Sequence, residues 1–410
     1  MSDREFDVAI VGASIAGCTA ATFLARQGAR VALVESHGDP LAFKRICTHS
    51  IQASAGPTLE RLGLLGAVAD TGTRSEFRAW SRYGWIAPSR DYTRRLESPD
   101  YYTLSLRREA FDPMLRRLAA DTDGVELMLG QTATGLLRAG GRIAGVRVRD
   151  RDGGGRELRA ELVVGADGRG SRVAALAGHR TKAKTNNRFL YYAYYRDTPP
   201  PTGASTQVWF LDPDMAYAFP TDGGLTLLAC VPHKNRLAEF QRDPEAAMAA
   251  VFESLPEAPR LDPAKRESKL LGRLDMTNER RRPAGPGLAL VGDAAIAADP
   301  VWGVGCGWAL QSAEWLAQAV GPVLGDPVAV DSALKRYGRR HRRALAGHDR
   351  ACSAFSKGRR LNPVERLFFR AAARDDQVAG DVAIFGERWL PPQRVWTPRA
   401  LARVVKVGLS

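Results

Sequence analysis

The stretch "FDVAIVGASIAGCTAATFLARQGARVALVES", residues 6–36, decides the fold. Val8, Ile10 and Val11 make a short apolar run of strand type, and Ala16, Ala20, Ala21 and Leu24 then recur at helical spacing until Gly28 stops the helix. "RVALVE" is a second buried strand, so the stretch reads as a βαβ unit of an α/β fold. Between the first strand and the helix stand Gly12, Ala13, Ser14, Ile15, Ala16 and Gly17. Gly12 supplies the tight turn, Gly17 lets the helix lie close on the strand, and the first helical amides then face an anion such as a pyrophosphate. Ser14 occupies the place of the middle glycine, and a small hydroxyl is tolerable there. Glu35 ends the second strand, where a carboxylate binds ribose hydroxyls and favours an adenosine without a 2′-phosphate.

Two more glycine clusters follow buried strands. "VVGADGRGSRVAAL", residues 163–176, places Asp167 and Gly168 in a loop. "LALVGDAAIAADPVWGVGCG", residues 288–307, places Gly292 and Asp293 after a strand, then Pro300, Gly303, Gly305, Cys306 and Gly307 before a helical pattern. Either alone reads as a turn. Glycine near a helix costs stability, so three in five residues point to something that approaches the backbone.

In this order and at these distances the three clusters resemble the flavoprotein hydroxylase superfamily, whose fold is that of p-hydroxybenzoate hydroxylase. The resemblance covers roughly residues 5 to 345 and leaves the last sixty uncovered. It implies non-covalently bound FAD and NADH or NADPH as reductant, with no separate nicotinamide fold. By position, Gly12, Ser14 and Gly17 would cradle the pyrophosphate, Glu35 would hold the adenosine ribose, and Asp293 would bind the ribityl chain. Arg108, in "RREAFD", and Arg45 match arginines near the cofactor, or are surface cations. Asp167 matches the family's "DG" motif. Cys306 reads as a small packing residue of the flavin-facing turn.

The rest of the chain fits this frame. "GGRIAGVRVRDRDGGGRELRAELVVGADG" is a hairpin feeding a buried strand. "RFLYYAYYRD", "TQVWFL", "MAYAFP" and "LTLLACV" predict a separate antiparallel sheet, with Pro199 to Pro201 as a rigid connection. Residues 306–320 and 329–371 read as helical. The expected division is a discontinuous Rossmann-type FAD-binding domain (1–75, 100–180 and 273–345), an inserted antiparallel-sheet substrate domain (76–99 and 181–272), and a basic helical region (346–410). Within the sheet, Tyr192, Tyr194, Trp209, Tyr217 and Phe219 are candidates for an apolar substrate pocket, each alternatively sheet core. Trp302 joins them because it flanks the flavin-facing turn. His49 lies in a cofactor-adjacent segment.

The 410 residues carry 45% apolar and 25% charged side chains, an ordinary globular composition long enough for two domains. The charged N-terminus enters a strand directly and no run of eighteen apolar residues exists, so a cytoplasmic protein without a spanning helix is expected. Five scattered cysteines without a CxxC pair, and histidines without ligand spacing, argue against disulfides and a metal. The net charge of +14 is concentrated after Lys335, where 18 Lys and Arg face 6 Asp and Glu. That excess is a solvated helical face or a docking face for an anionic partner such as an acidic carrier protein; no pattern supports nucleic acid.

The resemblance admits three chemistries. Monooxygenation uses NAD(P)H and O2 and passes through a flavin hydroperoxide to hydroxylate or epoxidise a hydrophobic or aromatic small molecule, as in specialised metabolism. Halogenation would need a WxWxIP motif; Trp80 and Trp85 in "WSRYGWIAP" are too far apart for it. Geranylgeranyl-reductase-like double-bond reduction is loosely echoed in "FKRICTHS" and "DMAYAFPTDGG". A flavin-binding protein without turnover is the competing class. Monooxygenation is the leading expectation.

Overall fold

A computed structural model describes residues 5–89, 92, 96, 101–201 and 205–410. Of the segments assigned by sequence to the two domains, residues 1–4, 90, 91, 93–95, 97–100 and 202–204 lie outside the described residues.

Strand β1 (Phe6–Val11), helix α1 (Ile15–Ala25) and strand β2 (Val31–Glu35) form the expected unit. Helix α2 (Arg108–Ala120) leads into β3 (Val125–Leu129); β4 (Gly155–Gly165) and β5 (Leu288–Leu290) complete the parallel part of the sheet. The order is β5-β4-β1-β2-β3. Helix α3 (Val304–Val320) packs against α1, and the long helix α4 (Pro327–Phe355) packs against α3. Val8, Ile10 and Leu33 point into the core beneath these helices, whereas Ala9, Val11, Val34 and Val163 point to the opposite face, under the meander strands Thr132–Ala139 and Arg142–Arg149. That alternation follows from the two-residue period of a strand.

The second sheet is assembled from distant pieces: in order Leu271–Arg273, Leu190–Arg196, Leu225–Val231, Met215–Pro220, Ser205–Phe210, Thr73–Ser81, Thr103–Ser105 and Ser50–Ile51. Among the described residues every pairing in it is antiparallel except Ser205–Phe210 with Thr73–Ser81, which run parallel. Ser50–Ile51 and Thr103–Ser105 come from segments that the sequence assigned to the other domain; they extend the second sheet, with Ser50–Ile51 beside α3.

The helical run read over 329–371 breaks after Phe355. Gly358 adopts a φ of +62°, and Asn362 caps a new helix, α5 (Pro363–Ala372), through a capping box with Glu365. Helices α6 (Asp376–Gly386) and α7 (Pro398–Leu409) follow. Leu345, Cys352, Phe369, Val378 and Val404 from this region join Tyr192, Tyr217 and Phe210 in one core, so the C-terminal helices roof one face of the second sheet. The exposed arginines of α4, including Arg339, Arg342 and Arg343, lie opposite its buried residues Tyr337, His341 and Leu345, so α4 is amphipathic and turns its share of the basic excess to solvent. A short helix at Gly56–Leu62 is closed by Gly63, at φ +79°. No described helix is long and apolar enough to cross a membrane.

Candidate functional site

The three glycine clusters meet at one end of the parallel sheet, around a cleft of about 790 Å³. Gly12 and Gly17 are required by the protein itself. Gly12 turns with φ +104°, and a Cβ there would lie 2.5 Å from Ala166 O; a Cβ on Gly17 would lie 1.7 Å from Gly12 O. Ser14 stands where the motif's middle glycine is absent and is put to use: Arg108 Nη2 donates to its Oγ at 2.6 Å. Arg108 is itself buried and held by Asp112, with Nε and Nη2 donating at 2.7 and 2.9 Å. Asp112 lies four residues on along α2, the spacing that sets two side chains on one helical face. Beside them the buried Arg116 donates from Nε to Ala13 O at 3.1 Å.

Glu35 accepts from the Ala13 amide at 2.9 Å and from the His37 amide at 2.9 Å, so its carboxylate is fixed at the end of β2 next to the glycine turn. Asp167 accepts from Ser171 Oγ at 2.5 Å and Val173 N at 2.9 Å, and lines the cleft from the second cluster. Asp293 forms an ion pair with Lys44 Nζ at 2.8 Å. Burial opposes ionisation of Asp293, but Lys44 outweighs it and Arg169 and Arg108 add to the effect, so the carboxyl titrates below its usual range. Asp293 in turn raises the Lys44 pKa. Arg45 lines the mouth with an exposed side chain, and its neighbour Lys44 is the cation that reaches across to the third cluster.

The third cluster explains its glycines one by one. Gly303 caps α3 with φ +59°, and a Cβ there would come within 2.8 Å of the Ser50 side chain. Gly307 faces Gln52 and Arg388 rather than the cleft, a correction to its expected place at the cofactor. Gly292 packs behind the cleft, its amide donating to Ser312 Oγ at 2.9 Å. Gly305 differs from all of these: it has an ordinary helical φ and its Cβ would meet nothing within 4 Å. No protein contact demands a glycine at this point, yet the residue lines the cleft. The missing side chain leaves room for a ligand at the start of α3, whose free amides and dipole favour negative charge. Pro300 is held by a buried pair beneath it: Arg188 Nη2 donates to Asp299 Oδ1 at 2.6 Å, with Asn186 Nδ2 on the other oxygen at 2.7 Å.

FAD fits this arrangement. A pyrophosphate has the glycine turn and the α1 amides, a ribose has Glu35, and a ring has the bare edge at Gly305. The volume suits a nucleotide-sized ligand.

Two thiols close the cleft near the same edge. Cys47 and Cys306, 259 residues apart, bring their sulfurs to 3.9 Å. The Cys306 thiol facing it and His49 hold Cys47 well below the ordinary thiol pKa, and the same contact pushes Cys306 well above it. Composition and spacing gave no signal for this pair. His49 is buried at a φ of +61°, its Nδ1 accepts the Arg108 amide at 3.1 Å, and its Nε2 therefore donates to the Tyr194 hydroxyl.

Of the aromatic candidates, Tyr192, Tyr217 and Phe219, with the half-buried Tyr194, share the sheet face toward α3 and the C-terminal helices. Tyr192 donates to Arg45 O at 2.5 Å. Trp209 does not belong with them. The two-residue period turns it to the opposite face, where it packs on Phe252 and its Nε1 donates to Pro256 O at 3.0 Å. Trp302 stands among Phe210, Phe355 and Phe385 on the side of the C-terminal helices rather than in the cleft.

Comparison with known proteins gives the family and the fold. The model of the FAD binding domain family matches residues 5–350. The chain is 31% identical over 321 residues to a 6-methylpretetramide 4-monooxygenase of Streptomyces rimosus, covering 75% of this chain and 73% of that protein. It is 27% identical over 355 residues to a digeranylgeranylglycerophospholipid reductase of Methanothrix thermoacetophila, covering 83% of each. A solved flavoprotein/dehydrogenase from Cytophaga hutchinsonii superposes with a TM-score of 0.82 at 18% identity, over 99% of this chain and 100% of that one. The likeness of fold therefore extends through the C-terminal helices.

Proposed function

Since the chain belongs to the FAD binding domain family, within the FAD-dependent monooxygenases, we propose that it inserts one oxygen atom from O2 into a hydrophobic, aromatic small molecule. It is an FAD-dependent oxidoreductase of the NAD(P)H-using kind. Bound FAD, reduced by NAD(P)H, supplies the electrons that split O2 into the inserted oxygen and water. The chain supplies position, exclusion of water and charge. Gly12 and the α1 amides seat the phosphates, and Asp293, kept ionised by Lys44, offers an acceptor to a hydroxyl. The N-terminus of α3 stabilises negative charge at the edge beside Gly305. Leu190 and Met276 line the cleft on the side of the second sheet and offer an apolar wall, which favours a hydrophobic substrate; Tyr192 and Tyr194, bonded to Arg45 O and His49, stand behind this wall without lining the cleft.

Gly305 carries the reading, because among the glycines of the third cluster it is the one that lines the cleft with neither a positive φ nor a protein contact that demands a glycine. The test is mass spectrometry of products from holoenzyme, NADPH and O2 with a panel of aromatic metabolites. Products heavier by one oxygen are expected; NADPH consumption with no oxygen gained by any substrate would sink the proposal.

The thiol pair favours a second reading, flavin-dependent double-bond reduction. That reaction needs a proton delivered to the carbon opposite the hydride, and the Cys306 thiol, which the facing Cys47 keeps protonated, lines the cleft and can hold one. A gain of two hydrogens under anaerobic conditions, lost in Cys306→Ala, is its signature.

A further inference from the structure

Four of the eight large apolar side chains that stay exposed among the described residues belong to two neighbouring helices, α5 and α7. Val364 of α5 is 62% exposed, and Leu401, Val405 and Leu409 of α7 are 41%, 46% and 71% exposed. The three on α7 recur every four residues and so form one stripe along it. Val404 and Gly408, beside that stripe, turn inward; a Cβ on Gly408 would come 2.6 Å from Leu367 Cδ1 of α5. Asp375, just past the end of α5, pairs with Arg403 at 2.7 Å. Leu367 against Gly408 and Asp375 against Arg403 make the two helices antiparallel, so Val364 falls at the Leu409 end of the stripe.

A basic edge runs beside the stripe. Helix α7 carries Arg399, Arg403 and Lys406 and no acid. At 3.6 residues per turn these three gather on one side, next to the stripe and away from Val404 and Gly408, and all three are exposed. Asp375 takes Arg403, and among the described residues no carboxylate pairs with Arg399 or Lys406. Between α6 and α7 a hollow of about 440 Å³ opens at this edge. Among the described residues, Arg394, Arg399, Arg403 and one acid, Asp381, line it against the apolar Ile384 and Leu390. Guanidinium forks match phosphate oxygens, and three of them to one carboxylate leave the hollow cationic.

We infer that α7, braced by α5, docks the enzyme on an anionic lipid surface. A basic edge beside an apolar stripe is the pattern of a helix lying in the bilayer interface, with the stripe among the acyl chains and the cations at the phosphates. At 12 residues α7 is too short to span a bilayer. A second copy of the chain fits the face less well. Such a contact would carry the same unpaired cations on both sides, with no acid of α7 to meet them. Four partly exposed aliphatic side chains also offer less than the roughly 800 Å² per partner of a stable interface. An acidic protein matches the cations but not the stripe.

The test is flotation of the FAD-loaded, full-length enzyme with vesicles of phosphatidylcholine, alone or mixed with phosphatidylglycerol. Its readout is independent of which reaction the flavin performs. Wild type should bind the mixed vesicles and not the neutral ones, and binding should weaken as salt rises from about 0.1 to 0.5 M. Arg399→Gln with Lys406→Gln should lower the partition coefficient roughly 25-fold, about fivefold per cation. Leu401→Ser with Val405→Ser and Leu409→Ser should lower it at least as far. All five positions are exposed, so FAD content and thermal midpoint should match wild type, which separates lost docking from lost folding. Vesicle binding that survives in either variant, or no binding by wild type, overturns the inference. A wild-type dimer that the serine variant dissociates gives the face to a second copy, and binding of polyglutamate without vesicle binding gives it to an acidic protein; either result overturns the inference too.

Discussion

At the scale of single residues, two glycines two positions apart separate folding from cofactor binding. Gly303 is demanded by its own φ of +59° and by Ser50, so Gly303→Val should unfold the chain more easily, by about 1–3 kcal/mol, whether or not FAD is present. Gly305 has ordinary dihedrals and open space, so Gly305→Val should leave the thermal midpoint of the apoprotein unchanged and yet deplete bound flavin. The ratio of flavin to protein absorbance after purification reads the second effect and calorimetry the first. Equal flavin content in Gly305→Val and wild type would remove the argument for a ring at that edge. Asp293→Ala should likewise lower flavin retention, and there Lys44 loses its partner as well. The motif glycines were legible because steric demands recur at fixed spacing. Lys44, Asp112 and Cys47 were not, because each acquires its role from a partner brought near only by the fold: Asp293 from 249 residues away, Ser14 from 98, Cys306 from 259.

At the scale of elements, the turn before α3 is anchored to the second sheet through Arg188 and Asp299, both with no side-chain exposure. Removing one partner of such a pair strands a buried charge. Asp299→Ala should therefore cost about 3–5 kcal/mol in a denaturant titration, whereas substituting both partners by apolar residues should cost less. The βαβ unit, the hairpin and the four central strands were all legible, since each carries its own period and turn residues. The parallel pairing of Thr73–Ser81 with Ser205–Phe210 was not, because both strands have the same local pattern whichever way the partner runs. Trp209 was misplaced for a related reason. Alternation shows that Tyr217 and Trp209 stand on some face, but only the register against neighbouring strands says which face meets the cleft.

At the scale of the whole molecule, α4 makes the fold acid-sensitive. Burial pushes His341 down to about 3 and His348 to about 4, each from an ordinary value of 6.5, with nearby arginines adding to the effect. Both are bases with depressed folded-state values, so the fold accommodates the neutral ring. Their contribution is complete above pH 6.5. It is lost as the pH falls through 6.5 toward 4, where the unfolded chain binds protons that the folded chain refuses. Denaturant midpoints should be flat from pH 8 to about 7 and fall steeply below 6, and His341→Gln should shallow that fall. A slope unchanged in this variant would assign the acid sensitivity to other groups.

Gln52 adds a temporal dimension to the same architecture. Its side chain bonds the carbonyls of Trp302 and Gly386, 250 and 334 residues further along the chain. On the ribosome, the first glycine cluster emerges complete while both of these acceptors are still unmade. The nascent protein can shape a phosphate turn early, yet the far wall of the cleft waits for α3 and its bracing waits for α6. Until then the apolar face around Phe210 and Trp302 has no roof. Completion of the cleft is thus tied to synthesis through residue 386, and the interval before that is when the unroofed sheet is open to aggregation.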